Sequence, residues 1–169
     1  MNIIETGRLL IRPLSVSDAP FILALTNSPG WLEFIGDRGI RNIPDAENYI
    51  TKGPMASYAS FGHGLYCIEL MDSGLPAGIC GLLQRDTLAD KDIGFALLPE
   101  YTGHGYALEA ASAILAYSRV QLGITRVAAI TLPGNARSIR LLEALGFSFE
   151  KMLRLQEDKE ELMLFGTAW

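Results

Sequence analysis

The sequence predicts an α/β protein built around a mixed β-sheet. Three observations lead to this: a strand pattern followed by a helix pattern near the amino terminus, a meander of three strand-like segments from Leu65, and then helix, strand, helix and two strands. The strand–helix–strand unit over 92–132 predicts a right-handed parallel crossover.

The first half of the chain begins with the short, apolar "RLLIRPL" of 8–14, which ends at a proline and predicts a strand. In 15–28, Ser17 or Asp18 is a candidate cap and Pro20 stands early, as at the start of a helix. Glycines interrupt 29–64, so we expect irregular structure with one short helix at about 45–52. Loops of this length are often functional.

The second half alternates more regularly. Apolar, strand-like runs predict a meander and a later strand at 65–71, 77–85, 92–98 and 125–132. A helix begins at Tyr106 and ends at Gly123, and a second helix ends at Gly146, since glycine commonly follows a helix. The final segments, 147–155 and 159–167, are typical of an antiparallel pair.

Composition narrows the class of function. The length of 169 residues suits a single domain over 1–169, and the formal net charge of −5 without a basic stripe argues against nucleic-acid binding. Cys67 and Cys80 lie in apolar runs without metal-ligand spacing, so we expect buried reduced thiols, no metal and a cytoplasmic location. No signal-peptide pattern is seen, and Glu109 and Arg119 in the most apolar helix argue against a membrane span.

The stretch "LPEYTGHGYALEAA" carries the clearest functional signal. Gly103 and Gly105 stand directly before a helix, where four amide groups have no intrahelical partner and the helix dipole favours anions. No Ser, Thr, Asp or Asn immediately before Tyr106 caps the helix. The pattern fits a phosphate site, although a tight turn without a ligand remains an alternative.

Two kinds of nucleotide site can be tested on this stretch. A nucleoside-triphosphate loop needs Gly-Lys-Ser/Thr after four residues, which is absent. A dinucleotide site needs a third glycine where Leu108 stands, and an acidic residue at the end of the next strand, which here ends in "AITL". The sequence therefore excludes both kinds of site. A second helix start, in 132–147, follows the neighbouring parallel strand, so both starts meet at the edge where open α/β sheets bind ligands.

Four stretches follow one another along the chain: "ETGRLLIRPLSVSDA", "GICGL", "DIGFALLPEYTGHGYALEAA" and "NARSIRLLEALGF". In these stretches the chain resembles the GNAT superfamily of acyl-CoA-dependent N-acetyltransferases, and most of all the branch of the ribosomal-protein N-terminal acetyltransferases. The resemblance covers nearly the whole chain outside 29–64. It implies a single-domain, mostly antiparallel sheet of about seven strands, with a parallel pair splayed at the CoA site and about four flanking helices.

The resemblance also implies a donor site for acetyl-CoA. The family signature falls on 102–107, where Thr102 departs from the usual Gln or Arg. Backbone amides would hold the CoA pyrophosphate, and the end of the preceding strand would pair with the pantetheine arm. The implied cofactor-binding residues are Leu97, Leu98, Gly103, His104, Gly105, Tyr106, Ala107 and Asn135.

The implied reaction is direct attack of an amine on acetyl-CoA. Asp92 stands where many relatives carry a glutamate base, with a solvated strand-end carboxylate as its alternative, and Glu69 is a second acidic candidate. Leu142 occupies the position of the family's tyrosine acid, and this branch instead places a serine matching Ser138, with Asn135 at the helix start. Helix capping explains Asn135 equally well.

The resemblance implies that the region of Trp31, Phe34 and Arg38 covers the acceptor, with Glu69 added as a candidate contact, although core packing also explains the aromatic residues. Relatives acetylate protein N-termini, amino sugars, polyamines, amino acids and antibiotics, so the acceptor is left open. A non-catalytic acyl-CoA sensor on the same fold is the alternative to an enzyme. The oligomeric state cannot be read from the chain, and a homodimer stays open.

Overall fold

The computed structural model describes residues 4–169, and its eight strands form one sheet in the order β1-β2-β3-β4-β5-β6-β8-β7. The strands are β1 (Ile4–Glu5), β2 (Leu9–Pro13), β3 (Leu65–Leu70), β4 (Pro76–Leu83), β5 (Asp92–Leu97), β6 (Arg126–Thr131), β7 (Ser148–Leu153) and β8 (Leu162–Ala168). All neighbours pair antiparallel except β5 and β6.

Within residues 4–169, six α-helical segments flank this sheet: α1 (Ala19–Thr26), α2 (Pro29–Phe34), α3 (Ile43–Ile50), α4 (Ala56–Phe61), α5 (Tyr106–Val120) and α6 (Ala136–Ala144). A π-helical turn, Thr51–Met55, joins α3 to α4 and contains Pro54. A π turn inside a helix frequently marks a functional site. Among the described residues, no helix has both the length and the apolar character needed to span a membrane.

The two faces of the sheet carry separate cores. Ile22 of α1 and Ile50 of α3 pack with Cys67 and Ile79 on one face, while Ile114 of α5 and Leu142 of α6 pack on the other. Both cysteines are buried and unpaired, as expected, and burial raises the pKa of each thiol to about 12.

The predicted fold class is confirmed, with differences of detail. The described part of the chain has eight strands where about seven were expected, since β1 pairs with β2 at the edge. The region 29–64 is more helical than expected, because Pro29 and Pro44 stand in first helical turns and Asn42 accepts the Asp45 N–H at 2.8 Å. Helix α6 ends as predicted: Gly146 has a φ of 91° and the Phe147 N–H donates to the Leu142 carbonyl at 2.9 Å.

Candidate functional site

The two parallel strands separate after a single pair. Asp92 lies opposite Ala128, and the Ala128 N–H donates to the Lys91 carbonyl at 2.9 Å. No later residue of β5 pairs with β6 among the described residues. The sheet is therefore split, with its closed end at Asp92 and its open end at the carboxyl ends of both strands.

The backbone of β5 presents hydrogen-bonding groups to this split. The Leu98 N–H donates to the Ala77 carbonyl on β4 at 2.8 Å. Because successive backbone groups of a strand point to opposite sides, Phe95 and Leu97 direct theirs away from β4 and into the split. Of the two residues expected to pair with pantetheine, Leu97 directs its backbone groups into the split, whereas the Leu98 N–H is already bonded to β4.

A cleft of about 1000 Å³ follows the split and continues under the helices that precede β3. This volume is at the upper end of the range for small-molecule sites. The cleft brings together eight of the residues predicted from the sequence: Trp31, Phe34, Arg38, Asp92, Leu97, Ala107, Asn135 and Ser138. Of the glycine motif, Gly103, His104, Gly105 and Tyr106 adjoin Ala107 and the lining residue Thr102 without being lining residues themselves.

The start of α5 is open to an anion. Gly103 and Gly105 both have a φ of 81°, a left-handed conformation that other residues rarely adopt. No side chain caps the helix, and the first intrahelical bond runs from the Glu109 N–H to the Gly105 carbonyl at 3.1 Å. Within residues 4–169, the amides of 104–108 have no hydrogen-bond partner, so they can bind a phosphate.

Arg8, which sequence reasoning did not select, holds this turn in place. Its Nη1 donates to the His104 carbonyl at 2.9 Å, its Nε lies 2.8 Å from a Glu109 oxygen, and its guanidinium carbon lies 4.5 Å from the centroid of the Tyr106 ring. The strand β2 therefore fixes the first turn of α5. No local pattern reveals this contact, since about a hundred residues separate its partners.

Asp92, at the closed end of the split, is 1% exposed and is paired with Arg85. The Arg85 Nε lies 3.1 and 3.2 Å from its two carboxylate oxygens. Burial raises the pKa of Asp92, and the Arg85 charge opposes this rise. Such an environment makes a carboxylate a stronger base than an exposed one. Arg85 was missed because only the pairing of β4 with β5 brings it beside Asp92.

The start of α6 forms the opposite wall of the cleft. The Asn135 side-chain oxygen accepts the Ser138 N–H at 3.2 Å, so it caps the helix. The Ser138 hydroxyl makes no hydrogen bond within residues 4–169, and it is half-buried. Arg137 and Arg140 also line this end of the cleft. Asn135 therefore orients α6, and Ser138 keeps a hydroxyl available to a ligand.

The remaining predicted residues divide into two groups. Trp31 is 5% exposed and lines the cleft with Phe34 and Arg38. Glu69 does not line it: its carboxylate accepts from the Arg12 Nε at 2.7 Å, close to the turn that joins β3 to β4. The structure thus does not bring Glu69 to the cleft. Among the described residues, no group of three or more His, Cys, Asp or Glu is placed to hold a metal ion.

Comparison with known proteins agrees with this geometry. The family model of the acetyltransferase (GNAT) domain matches residues 8–148. The uncharacterized N-acetyltransferase YoaA of Bacillus subtilis (strain 168) is 30% identical over 156 residues, which are 90% of this chain and 86% of YoaA.

Two solved structures show the same fold. The acetyltransferase of Agrobacterium tumefaciens strain C58 has a TM-score of 0.84 at 25% identity and covers 100% of this chain and 95% of its own. RimL, the ribosomal L7/L12 alpha-N-protein acetyltransferase solved with coenzyme A, has a TM-score of 0.84 at 15% identity, covering 99% and 98%. The family-model match over 8–148 and the 30% identity to YoaA show that the chain belongs to the GNAT family of acetyltransferases, whose fold the split sheet and the uncapped helix α5 share.

Proposed function

We propose that this protein, acting as a single N-acetyltransferase domain over 1–169, moves an acetyl group from acetyl-CoA to a primary amine. The acceptor is a protein N-terminus or a small molecule, and it attacks the thioester directly while both substrates are bound. The observation that carries the proposal is the split between β5 and β6, with a buried carboxylate at its closed end and unpartnered amides at its open end.

The residues at the open end fit the donor. The free amides at the start of α5 and the dipole of this 15-residue helix favour a diphosphate. A Cβ at Gly103 would meet nothing within 4 Å, so the approach to these amides is clear. The backbone groups of Phe95 and Leu97 are placed to pair with an extended, amide-containing arm, as a neighbouring strand would.

Asp92 supports the first proton transfer. An amine attacks only in its neutral form, and a lysine-like amine with a pKa of about 10.4 is mostly protonated at neutral pH. Asp92 accepts this proton directly or through a water molecule. The nitrogen lone pair then forms a bond to the carbonyl carbon, and the thioester π electrons move to oxygen, where a backbone N–H of the split can stabilise the charge.

Ser138 supports the second proton transfer. Collapse of the tetrahedral intermediate breaks the carbon–sulfur bond, and the electron pair leaves with the CoA sulfur. The Ser138 hydroxyl lines the same cleft, and it is the proposed donor of a proton to this thiolate. The nitrogen, which became cationic when it attacked, loses its extra proton, and this proton restores the Ser138 hydroxyl directly or through water. The products are the acetylated amine and free CoA.

Two measurements test the proposal. Acetyl-CoA and CoA should raise the melting temperature of the protein, whereas NAD and ATP should not, because a ligand that binds the native state stabilises it. Release of CoA thiol from acetyl-CoA should then depend on an added amine. In the Asp92→Asn variant, an added amine should no longer increase the release of CoA thiol. A protein that binds acetyl-CoA tightly but turns over no amine is a sensor, and the proposal would be wrong.

A further inference from the structure

The acceptor end of the cleft lies on the face of the sheet covered by α1–α3. Side chains alternate along β5, and Ala96 packs with the α1–α3 core, whereas Phe95 and Leu97 pack with the α5 core. Asp92 is an even number of residues from Ala96, so its carboxylate points to the α1–α3 face. We call the space on this face the acceptor chamber, which is lined by Trp31, Phe34, Arg38, Tyr49, Lys52 and Arg85.

The acceptor chamber concentrates positive charge in a protein whose formal net charge is −5. Its cations are Arg38, Lys52 and Arg85, and Asp92 is the one carboxylate that lines the described cleft. Arg85 is paired with Asp92, but Arg38 and Lys52 form no ion pair within residues 4–169. The neighbouring Asp37 is paired with Arg41 rather than with Arg38. Such a cleft attracts an anionic ligand.

Trp31 lines the chamber, and its buried indole carries an unused hydrogen-bond donor. Its side chain is 5% exposed, and its Nε1 has no hydrogen-bond partner among the described residues. A buried donor without a partner is rare and carries a desolvation cost, so a ligand that accepts from it gains affinity. Arg38 reaches the chamber from the loop after α2 and lies near Tyr49, where its charge opposes the rise that burial causes in the pKa of the phenol.

The walls between these polar groups are apolar. Phe34, Ile35 and Leu83 line them, and Phe61 borders the cleft with half of its surface exposed. A polyamine would bring further positive charge against Arg38 and Lys52, which is unfavourable, and an amino sugar would bury hydroxyl groups against apolar walls. Both classes fit this chamber worse than an amine with an apolar body and a negative charge.

Building on the proposed function, we propose that the acceptor is a primary amine that also carries an anionic group, a carboxylate or a phosphate, on an apolar body. The amine faces Asp92, and the anionic group binds to Arg38 and Lys52 with the indole N–H of Trp31. Free apolar amino acids and phosphorylated amines are the two sources of this chemistry.

A matched panel of amines tests the acceptor class. Each set shares one apolar body and one primary amine, and differs in the second group: carboxylate, phosphonate, neutral amide or hydrogen. We expect kcat/KM for the carboxylate or the phosphonate to exceed that of the amide by about tenfold to a hundredfold, the range of a charge-assisted hydrogen bond. Which of the two anions is preferred separates the amino acid from the phosphorylated amine. Peptides with the same residue at a free N-terminus form a further arm.

Variants of the chamber locate the preference. Arg38→Ala and Lys52→Ala should each lower kcat/KM for the anionic amine and leave that for the amide nearly unchanged. Trp31→Phe keeps the aromatic ring and removes the N–H, and it should act in the same direction. In all three the KM for acetyl-CoA should stay constant. Arg41→Ala is the matched control, since Arg41 is on the same loop but is paired with Asp37 and does not line the cleft.

The outcomes of these experiments test the acceptor class, the role of the chamber residues and the proposed function separately. Equal or faster turnover of the amides or of the peptides overturns the acceptor class and leaves the proposed transferase function intact. A preference for anions that survives in both Arg38→Ala and Lys52→Ala overturns the assignment of these residues. No turnover of any amine, despite a melting-temperature shift with acetyl-CoA, overturns the proposed function together with the acceptor class.

Discussion

Replacing Gly105 with glutamate places both bulk and negative charge where the structure offers free amides to a diphosphate. Gly105 has a φ of 81°, and a Cβ built there lies 3.4 Å from an Arg8 guanidinium nitrogen. The left-handed backbone costs any other residue about 1–2 kcal/mol. For a chain of this size, that corresponds to a fall in melting temperature of roughly 2–8 °C.

The loss of donor affinity should be larger than this strain explains. Two unit charges about 5 Å apart interact by about 3 kcal/mol at an effective dielectric constant of 20 and by less than about 1 kcal/mol in bulk water. Because Gly105 is exposed, we take an intermediate repulsion, which weakens acetyl-CoA binding by about tenfold to a hundredfold.

A series of variants separates the causes. Gly105→Ala introduces the backbone strain, Gly105→Gln adds bulk, and Gly105→Glu adds charge to an almost identical shape. Gly123→Glu is the matched control, since Gly123 has a φ of 65° with open space around it and does not line the cleft. Calorimetric titration with acetyl-CoA gives the affinities, and thermal melting gives the stabilities.

The difference in affinity between the Gly105→Glu and Gly105→Gln variants should shrink as salt is added, because exposed charges are screened. Gly123→Glu should lose stability and keep its affinity for acetyl-CoA. Equal affinities of the wild-type protein and Gly105→Glu would refute the diphosphate site at the start of α5.

Three further changes test the other parts of the site. Ser138→Ala should lower kcat by about 10²-fold or more with little effect on acetyl-CoA binding if its hydroxyl protonates the thiolate, and a wild-type kcat removes it from the chemistry. Arg85→Gln removes the charge that opposes the raised pKa of Asp92, so the acid limb of the pH–rate profile should move to higher pH. A carboxyl group whose pKa is raised in the folded state lowers the free energy of unfolding as pH rises through that pKa. Because Arg85→Gln raises the pKa of Asp92 further, this variant should lose more stability than the wild-type protein between acidic and alkaline pH. Arg85→Lys should recover part of both effects, and an unmoved acid limb contradicts the role of Asp92 as base. Arg8→Ala should raise the KM for acetyl-CoA by roughly tenfold or less with kcat retained, because Arg8 supports the turn that binds the donor; an unchanged KM shows that the turn holds its shape alone.

Local patterns predicted the regular part of the molecule well. The meander of β3, β4 and β5 follows from apolar runs bounded by turn residues, and the helix after Gly105 follows from its periodicity. The glycine motif indicated a ligand because two glycines before a helix make sense only as a special turn or as a site for an anion. These features depend on residues that are close together in the chain, so they can be predicted from the sequence.

The parts that were missed depend on contacts between distant segments. Arg8 reaches the start of α5, and Arg85 reaches Asp92, only after the strands pair. Glu69 was selected because it is acidic and lies on a strand that looks central, but the pairing of β2 with β3 places it beside Arg12. The Leu98 N–H points to β4 rather than to the split, because the direction of a strand amide depends on the pairing register, which local sequence patterns do not specify.

The single pair that joins β5 to β6 divides the sheet into a larger part, β1–β5, and a smaller part, β6, β8 and β7. An extended coenzyme in the gap would hydrogen-bond like an additional strand, so its binding would also hold the two parts of the sheet together. In protein freed of coenzyme, the two parts of the sheet should then separate first between β5 and β6. Protection of the Phe95 and Leu97 amides from deuterium would report occupancy in the absence of any reaction.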